Sequence, residues 1–385
     1  MSNLAARVRT AAARIRSVGI FRVSLPLAEP FQHASSGLVT TLEEVVAVVR
    51  ATNGLSGYGE VRGNCAYVTG DTPERVSAVA SALAPLLIDQ SAEDLAPLLT
   101  RLDRAIVGNS AAKALLDIAL HDLAARIRGV SVATLIGGRM RDRLPTDVSV
   151  AFGPPQDAAA QTRRAVDAGF RVVKVRVGAD PGDDEARLSA VREVVDAHSE
   201  GRAVTVAVDA NGRWSPKEAV QRLRRWEHHR LGWIEQPVSP HDVLGLRLVR
   251  AHLSIPVMAD ESVQGPREVL ELLRQDAVDM FHFKLIKAGG FGPLRRMMAI
   301  AEAAGVPYMI GQMDEGMLAT AAAIHAGAAS SASYFEVHGY KRVAAQPFRG
   351  LRSEGGAMVV PDGPGLGVEV DEAALTPVQW FGSGA

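Results

Sequence analysis

Between about residues 145 and 340, short apolar runs alternate with amphipathic stretches whose apolar residues recur at helical spacing. Eight runs are predicted to be strands: TDVSVAFG (146–153), VVKVRVG (172–178), AVTVAVDANG (203–212), WIEQPV (233–238), IPVMADES (255–262), MFHFKLIKAGG (280–290), PYMIGQM (307–313) and SYFEVHG (333–339). Strand–helix alternation is typical of parallel strands joined by right-handed crossovers, and eight such units close a (β/α)8 barrel. A doubly wound open sheet is the competing topology, but no strand leads into a G-x-G-x-x-G loop.

The first third of the chain has a different pattern, with three alternating runs and two amphipathic stretches that predict antiparallel strands and helices. The runs are 17–27, 40–54 and 56–63, and the helical stretches are 72–88 and 109–129. The predicted fold is therefore α/β, a modified (β/α)8 TIM barrel with an α+β capping domain built from the N-terminal region and the C-terminal tail. The expected boundaries are 1–140 for the N-terminal capping part with its basic extension, 141–345 for the barrel and 346–385 for the C-terminal return.

Composition narrows the class of protein. The chain has 385 residues, and 47% of them are hydrophobic. Its net charge is near −1, so it lacks the excess of positive charge that would attract nucleic acid or an acidic membrane. No apolar run approaches the roughly 18 residues that span a bilayer. The single cysteine, Cys65, excludes an internal disulfide and suits the cytoplasm. The first 23 residues are arginine-rich and lack acids, and we expect a basic extension there rather than a transit peptide.

Charged and polar residues lie where the predicted barrel strands end, which is the face that carries catalytic groups in such barrels. In chain order they are Lys174 and Arg176, Asp209 and Asn211, Glu235, Asp260 and Glu261, Lys284, and Asp314 and Glu315. The carboxylates of three successive strands are about one βα unit apart, so they are expected at similar heights. A single carboxylate at a strand end is often only a helix N-cap, but three together indicate a shared site.

Three converging carboxylates need a cation, and oxygen ligands without histidine or cysteine nearby favour Mg²⁺ over Zn²⁺. Lys174 and Arg176 would approach this site from one side and Lys284 from the other. Such an arrangement suits removal of the proton next to a substrate carboxylate, with the enediolate stabilised by the metal and the cations. A lysine acts as the base if burial and neighbouring cations lower its pKa.

These motifs resemble those of the enolase superfamily, specifically the muconate lactonizing enzyme subgroup of the mandelate racemase/muconate lactonizing enzyme family. The matching stretches are VVKVRVG for the K-x-K strand, VDANG, IEQPV and ADES for the metal motifs, FKLIKAGG for the opposing lysine, AAKALLDIALHDLAARIRG for a capping helix and VVPDGPGLGVEVDE for the C-terminal return. The mandelate racemase subgroup fits poorly, because IGQMDE lacks the histidine expected on the seventh strand.

The resemblance implies Mg²⁺ on Asp209, Glu235 and Asp260, with Lys284 as the acid/base residue. It also implies that Lys174 touches the substrate carboxylate and that Glu315 hydrogen-bonds to it. Lids are expected at FQHASSG and NCAYVTG, where substrate could be selected by His33, Ser35, Asn64 and Tyr67. Asn211 is a further candidate for contact with the substrate. The expected partner is a small carboxylate, and family members commonly form homo-oligomers.

Arg176 departs from the family pattern, since it replaces the second lysine of K-x-K. A guanidinium is effectively always protonated and is a poor base. We therefore expect chemistry with Lys284 as the only base, either elimination of water (a dehydratase) or cycloisomerisation. The alternative is a racemase or epimerase of an amino-acid derivative or hydroxy acid. Outside this superfamily, a Schiff-base aldolase using Lys174 or Lys284, or a non-catalytic anion-binding barrel, are the other hypotheses.

Overall fold

The computed structural model describes residues 13–32, 37–178, 181–198 and 204–383. The first twelve residues and the lid candidates His33 and Ser35 lie outside this range. The strands are β1 (Ile15–Gln32), β2 (Leu38–Ala51), β3 (Ser56–Arg62), β4 (Arg143–Pro145), β5 (Val148–Val150), β6 (Val172–Arg176), β7 (Thr205–Asp209), β8 (Ile234–Glu235), β9 (Val257–Ala259), β10 (Met280–Lys284), β11 (Tyr308–Gly311), β12 (Tyr334–Glu336), β13 (Phe348–Arg349), β14 (Arg352–Glu354), β15 (Ala357–Val359), β16 (Glu369–Val370) and β17 (Thr376–Gly382).

The helices alternate with the barrel strands and also build much of the N-terminal region. They are α1 (Ala66–Thr69), α2 (Pro73–Leu83), α3 (Leu95–Ala105), α4 (Ser110–Arg128), α5 (Val132–Leu135), α6 (Pro155–Asp167), α7 (Pro181–His198), α8 (Pro216–Trp226), α9 (Val243–Ala251), α10 (Pro266–Arg274), α11 (Leu285–Ala288), α12 (Phe291–Ala303) and α13 (Met317–Ala328). None of the helices in the described part of the chain is long and apolar enough to cross a membrane.

Strands β5 to β12 form one parallel sheet in sequence order, and each of the eight predicted barrel strands contains one of them. The two edges meet at a parallel bridge between Thr146 and Phe335, where the Asp147 amide donates to the Phe335 carbonyl at 2.9 Å. The sheet is therefore a nearly closed barrel. The predicted fold, a modified barrel with an α+β cap that includes the C-terminal tail, is confirmed.

Alternation along the barrel strands separates an apolar plug from a polar mouth. Five inward-facing side chains fill the lower interior as a core cluster of their own, and none is more than 5% exposed: Ala207, Trp233, Met258, Met280 and Met309. Because successive side chains on a strand alternate, the residues two positions later face inward one layer nearer the C-terminal end. Those residues are Asp209, Glu235, Asp260, His282 and Gly311. The apolar plug therefore closes the barrel interior beneath the polar layer.

The cap is a four-stranded antiparallel sheet in the order β17-β1-β2-β3, with α4 against its face. The C-terminal tail first pairs β15 with β4 in a separate three-stranded sheet, and β17 then joins the cap sheet by pairing with β1. Helix α4 lies close to β3 because β3 carries glycines at residues 57 and 59 where it crosses the helix. The arginine-rich stretch is partly strand, because β1 begins at Ile15.

Glu44, Glu60 and Arg62 form a buried clasp between the cap sheet and the barrel. Arg62 Nη1 donates to the Met313 carbonyl oxygen at 2.8 Å, and the Ala319 amide at the start of α13 donates to Glu60 Oε2 at 2.9 Å. The three clasp residues have no exposed surface. Burial is the main cause that raises the pKa of Glu60, to about 8, and it also raises the pKa of Glu44. The clasp therefore buries two carboxyl groups with only one guanidinium among its three side chains.

Gly59→Ala is expected to destabilise the protein by about 1–3 kcal/mol, the usual cost of overpacking. A β-carbon there would lie 2.2 Å from the Leu115 carbonyl oxygen and 2.8 Å from the Ala119 amide nitrogen, both in the backbone of α4. Thermal unfolding followed by circular dichroism measures the effect. In the control Gly292→Ala, the nearest atoms are at least 3.7 Å from the new carbon, so Tm should stay or rise slightly. Equal Tm values for Gly59→Ala and the wild type would contradict the expectation.

Glu60→Gln is expected to flatten the dependence of Tm on pH between about pH 5 and pH 8. The folded-state pKa of Glu60, about 8, lies above its ordinary value of 4.5, so the folded protein holds a proton that the unfolded chain has released. Wild-type stability therefore falls as pH rises through this window, by up to about 1.4 kcal/mol per pH unit. A glutamine side chain does not titrate in this pH range, so the variant lacks this contribution to the slope. The exposed control Glu193→Gln should keep the wild-type slope, and an unchanged slope in Glu60→Gln would refute the assignment.

Candidate active site

Three cations and three carboxylates of the predicted site meet at the C-terminal end of the barrel, and each cation pairs with one carboxylate. The pairs are Lys174 with Glu235 (Nζ–Oε2, 2.9 Å), Arg176 with Asp209 (Nη1–Oδ2, 2.5 Å) and Lys284 with Asp260 (Nζ–Oδ2, 2.7 Å). All six residues are buried. Because a buried charge is costly without a partner, the pairing stabilises all six together.

Asp209 and Asp260 line one small cavity between the barrel mouth and the cap, with a volume of about 30 Å³. Arg176 comes from β6 and Lys284 from β10, four strands apart in a ring of eight, so they face this cavity from opposite sides. The cavity is far smaller than the several hundred cubic ångströms of typical ligand pockets. An organic substrate therefore needs more room than this closed form provides.

The donor set around the cavity fits a hard cation. Asn211 Oδ1 and Glu261 Oε2 are buried oxygens without a hydrogen-bond partner among the described residues, and both side chains line the cavity beside Asp209 and Asp260. Burial and the neighbouring carboxylates raise the pKa of Asp209 to about 6 and that of Glu261 to about 8. Crowded oxygen ligands with excess negative charge are the environment that Mg²⁺ prefers.

His282 contradicts the expectation that no histidine lies near the carboxylates. It is fully buried on β10, and its Nδ1 donates to Glu235 Oε1 at 2.8 Å while its Nε2 lies 3.4 Å from Glu336 Oε2. Gly311 on β11 makes room for the ring, because a β-carbon there would lie 1.9 Å from His282 Nε2. His282 and the nearby Glu235 and Glu336 offer donor atoms that all lie within 4.8 Å of one another.

Lys174 lies below the cavity and does not line it. Its Nζ is 2.9 Å from Glu235 Oε2, 2.6 Å from Glu336 Oε1 and 3.7 Å from Asp147 Oδ2. Burial alone would lower the pKa of Lys174, but the attraction of these carboxylates outweighs it and the net shift is upward. In this form of the protein, Lys174 is therefore an ammonium group that ties together three carboxylates.

Lys284 has its Nζ against Asp260 Oδ2 and 3.7 Å from Met313 Sδ. Burial lowers its pKa, but attraction to Asp260 and Glu336 is stronger, so the net shift is upward and opposite to the shift expected of a base. Lys287, which follows β10, binds Oδ1 of the same aspartate. Asp260 therefore holds two lysines, and its own pKa is well below the usual value.

Only some of the other residues predicted to contact substrate lie at the cavity. Tyr67 lines the cavity, as does Asn211. Glu315 is buried beside the cavity rather than in its lining, where its Oε2 accepts from the Met313 amide at 3.2 Å. Asn64 accepts from Arg62 Nε at 2.9 Å, which is a contact within the cap. His33 falls outside the described residues.

The sequence analysis missed His282, Lys287, Glu336 and Asp147. Two of them had a readable signal, since His282 lies two residues before Lys284 and Glu336 lies two residues after Tyr334, so each shares the inward face of its strand. Lys287 had none, because it reaches Asp260 from the short helix α11 after the strand has ended.

Comparisons with known proteins agree with this geometry. Residues 15–137 match the mandelate racemase/muconate lactonizing enzyme N-terminal domain, and residues 157–374 match the enolase C-terminal domain-like family. An L-Ala-D/L-Glu epimerase of Clostridium acetobutylicum is 33% identical over 92% of this chain and 98% of its own length. Muconate cycloisomerase 1 of Rhodococcus opacus is 31% identical over 94% of this chain and 97% of its own.

A solved structure extends the likeness to the whole fold. The dipeptide epimerase of Cytophaga hutchinsonii, in complex with Mg and the dipeptide D-Ala-L-Val, superposes with a TM-score of 0.88. The two chains are 29% identical, and the likeness covers 95% of this chain and 99% of the other. The chain therefore belongs to the mandelate racemase/muconate lactonizing enzyme family of the enolase superfamily and is an enzyme of this kind.

Proposed function

We propose that this enzyme is Mg²⁺-dependent and removes the proton next to a substrate carboxylate with Lys284 as its only base. The reaction that follows is elimination of water or cycloisomerisation. The observation that carries the proposal is the opposition of Arg176 and Lys284 across the cavity lined by Asp209 and Asp260. One of the two facing groups is a lysine, which can give up a proton, and the other is a guanidinium, which cannot.

The residues that would hold the metal are Asp209, Glu235 and Asp260, with Asn211 and Glu261 adding oxygens beside the cavity. Bound Mg²⁺ supplies positive charge that stabilises the anion formed when the α-proton leaves. Magnesium is supported by the oxygen-rich donor set and by the magnesium present in the dipeptide epimerase complex. Positive charge near Asp260 would also weaken the attraction that keeps the pKa of Lys284 high.

The steps assigned to the protein follow from where its side chains lie. Neutral Lys284 accepts the α-proton, and the electrons of the C–H bond move into the carboxylate to form an enediolate. Arg176, buried and always charged, stabilises that negative charge from the opposite face. In an elimination, the electrons return to expel hydroxide from the neighbouring carbon, and the Lys284 ammonium supplies the proton that makes it water.

Epimerisation is the second candidate, and the 33% identity to an L-Ala-D/L-Glu epimerase favours it. It requires proton transfer on both faces of the enediolate, so it needs a second group able to exchange a proton. Lys174 lies on the same strand as Arg176, but it is held below the cavity by Glu235 and Glu336. The stereochemistry of exchange in deuterium oxide therefore separates the two candidates.

Lys284→Ala is expected to lower turnover by about 10²–10⁴-fold, the usual contribution of a positioned acid/base group. The measurement is exchange of the α-proton in deuterium oxide by NMR, first screened with wild type over acid sugars, hydroxyprolines, acylated amino acids and dipeptides, at saturating Mg²⁺. The matched control is Lys217→Ala, an exposed lysine on α8 that should keep wild-type rates. Full turnover in Lys284→Ala would eliminate the assignment of the base.

Arg176→Lys is expected to create the missing second base. The wild type should return deuterium to the α-carbon only with retention of configuration, whereas Arg176→Lys should also yield the opposite configuration. Chiral chromatography of the recovered substrate, combined with NMR, measures both. Inversion by the wild-type enzyme at a rate similar to exchange would overturn the one-base proposal and support the epimerase.

A further inference from the structure

A second cluster of metal-ligating side chains lies outside the barrel, where α7 packs on the turn that follows α8. Its members are Glu185 on α7 and the adjacent histidines His228 and His229. His229 Nε2 is 2.8 Å from Glu185 Oε1, and His228 Nε2 is 3.6 Å from the same oxygen. One donor atom from each of the three residues therefore lies within 4.8 Å of the other two.

The backbone brings the two histidines side by side. Residues 227–229 form a single 3₁₀ turn, which Arg230 ends in the left-handed region at φ +53°. The imidazole centroids of His228 and His229 are 3.9 Å apart with a 40° tilt between the rings. Both Nε2 atoms consequently point to the same side, towards Glu185.

The imidazole ring of His228 is also pre-oriented. His228 Nδ1 donates to the Arg225 carbonyl oxygen at 2.7 Å, which leaves the proton on Nδ1 and the Nε2 lone pair free to bind a metal. This is the arrangement that fixes the tautomer of histidines in metal sites. His229 is only 3% exposed, so its ring is held by packing, while Glu185 and His228 remain accessible to an entering ion.

We propose that Glu185, His228 and His229 form a zinc site separate from the catalytic carboxylates. Two imidazole nitrogens and one carboxylate oxygen are the ligands that Zn²⁺ takes in three-ligand sites, with water at the fourth position. Mg²⁺ prefers oxygen ligands only, so the ion of the barrel mouth does not suit this cluster. The site links the helix after β6 with the turn before β8, the strands that carry Arg176 and Glu235.

The test is isothermal titration of the full-length enzyme with Zn²⁺ in excess Mg²⁺, repeated with Co²⁺ as a spectroscopic probe of four-coordinate binding. The variants are His228→Ala and Glu185→Gln, which change accessible side chains and should leave the fold intact. The matched control is His252→Ala. His252 is also exposed and its Nδ1 also contacts a carbonyl oxygen, that of Leu248, at 2.8 Å, but among the described residues it belongs to no cluster of metal-ligating side chains.

The expected result is one equivalent of Zn²⁺ bound outside the barrel by the wild type and by His252→Ala. Both ligand variants should bind it at least about tenfold more weakly, and the rise in Tm that Zn²⁺ causes should disappear with them. The proposal is overturned if the wild type takes up no Zn²⁺ in excess Mg²⁺. It is equally overturned if His228→Ala and Glu185→Gln bind Zn²⁺ as tightly as the control.

Discussion

Pairing of opposite charges inside a water-excluded ring is the interaction on which the barrel mouth depends. Lys174, Arg176 and Lys284 each hold at least one carboxylate at 2.9 Å or less, directly above an apolar plug that includes Trp233. An unpaired charge in this layer would cost several kcal/mol, so no member of the ring is independent of its neighbours. Any ion or substrate that enters must therefore exchange with a pair that already exists.

The cap is part of this arrangement. Arg62 holds the loop between β11 and α13 through the Met313 carbonyl, and Glu60 holds the first turn of α13 through the Ala319 amide. The same loop brings Met313 Sδ within 3.7 Å of Lys284 Nζ. The orientation of the cap sheet is thereby connected to the surroundings of Lys284, the proposed base, through this short loop and the helix turn that follows it.

Much of the fold and the central part of the site could be predicted because they follow from period-two patterns at strand ends. Those patterns placed Asp209, Glu235 and Asp260 on three adjacent strands and Lys284 opposite Arg176. The contacts of the cap could not be predicted, since Glu60 and Ala319 are 259 residues apart and no local pattern joins them. The upward pKa shift of Lys284 could not be predicted from the sequence either, because it depends on which carboxylates the ammonium group contacts in the folded protein.

Gly311 and His282 share one volume in the barrel interior, and this limits how the two positions can change over generations. With the imidazole in place, any β-carbon at residue 311 would overlap a ring nitrogen, so a larger residue there is closed to single substitution. A larger residue at position 311 becomes possible only after residue 282 has been replaced by a smaller one. Once residue 311 is larger, histidine no longer fits at position 282. Descendants of this enzyme would have to replace the histidine first, and the order of the two steps is set by shape alone.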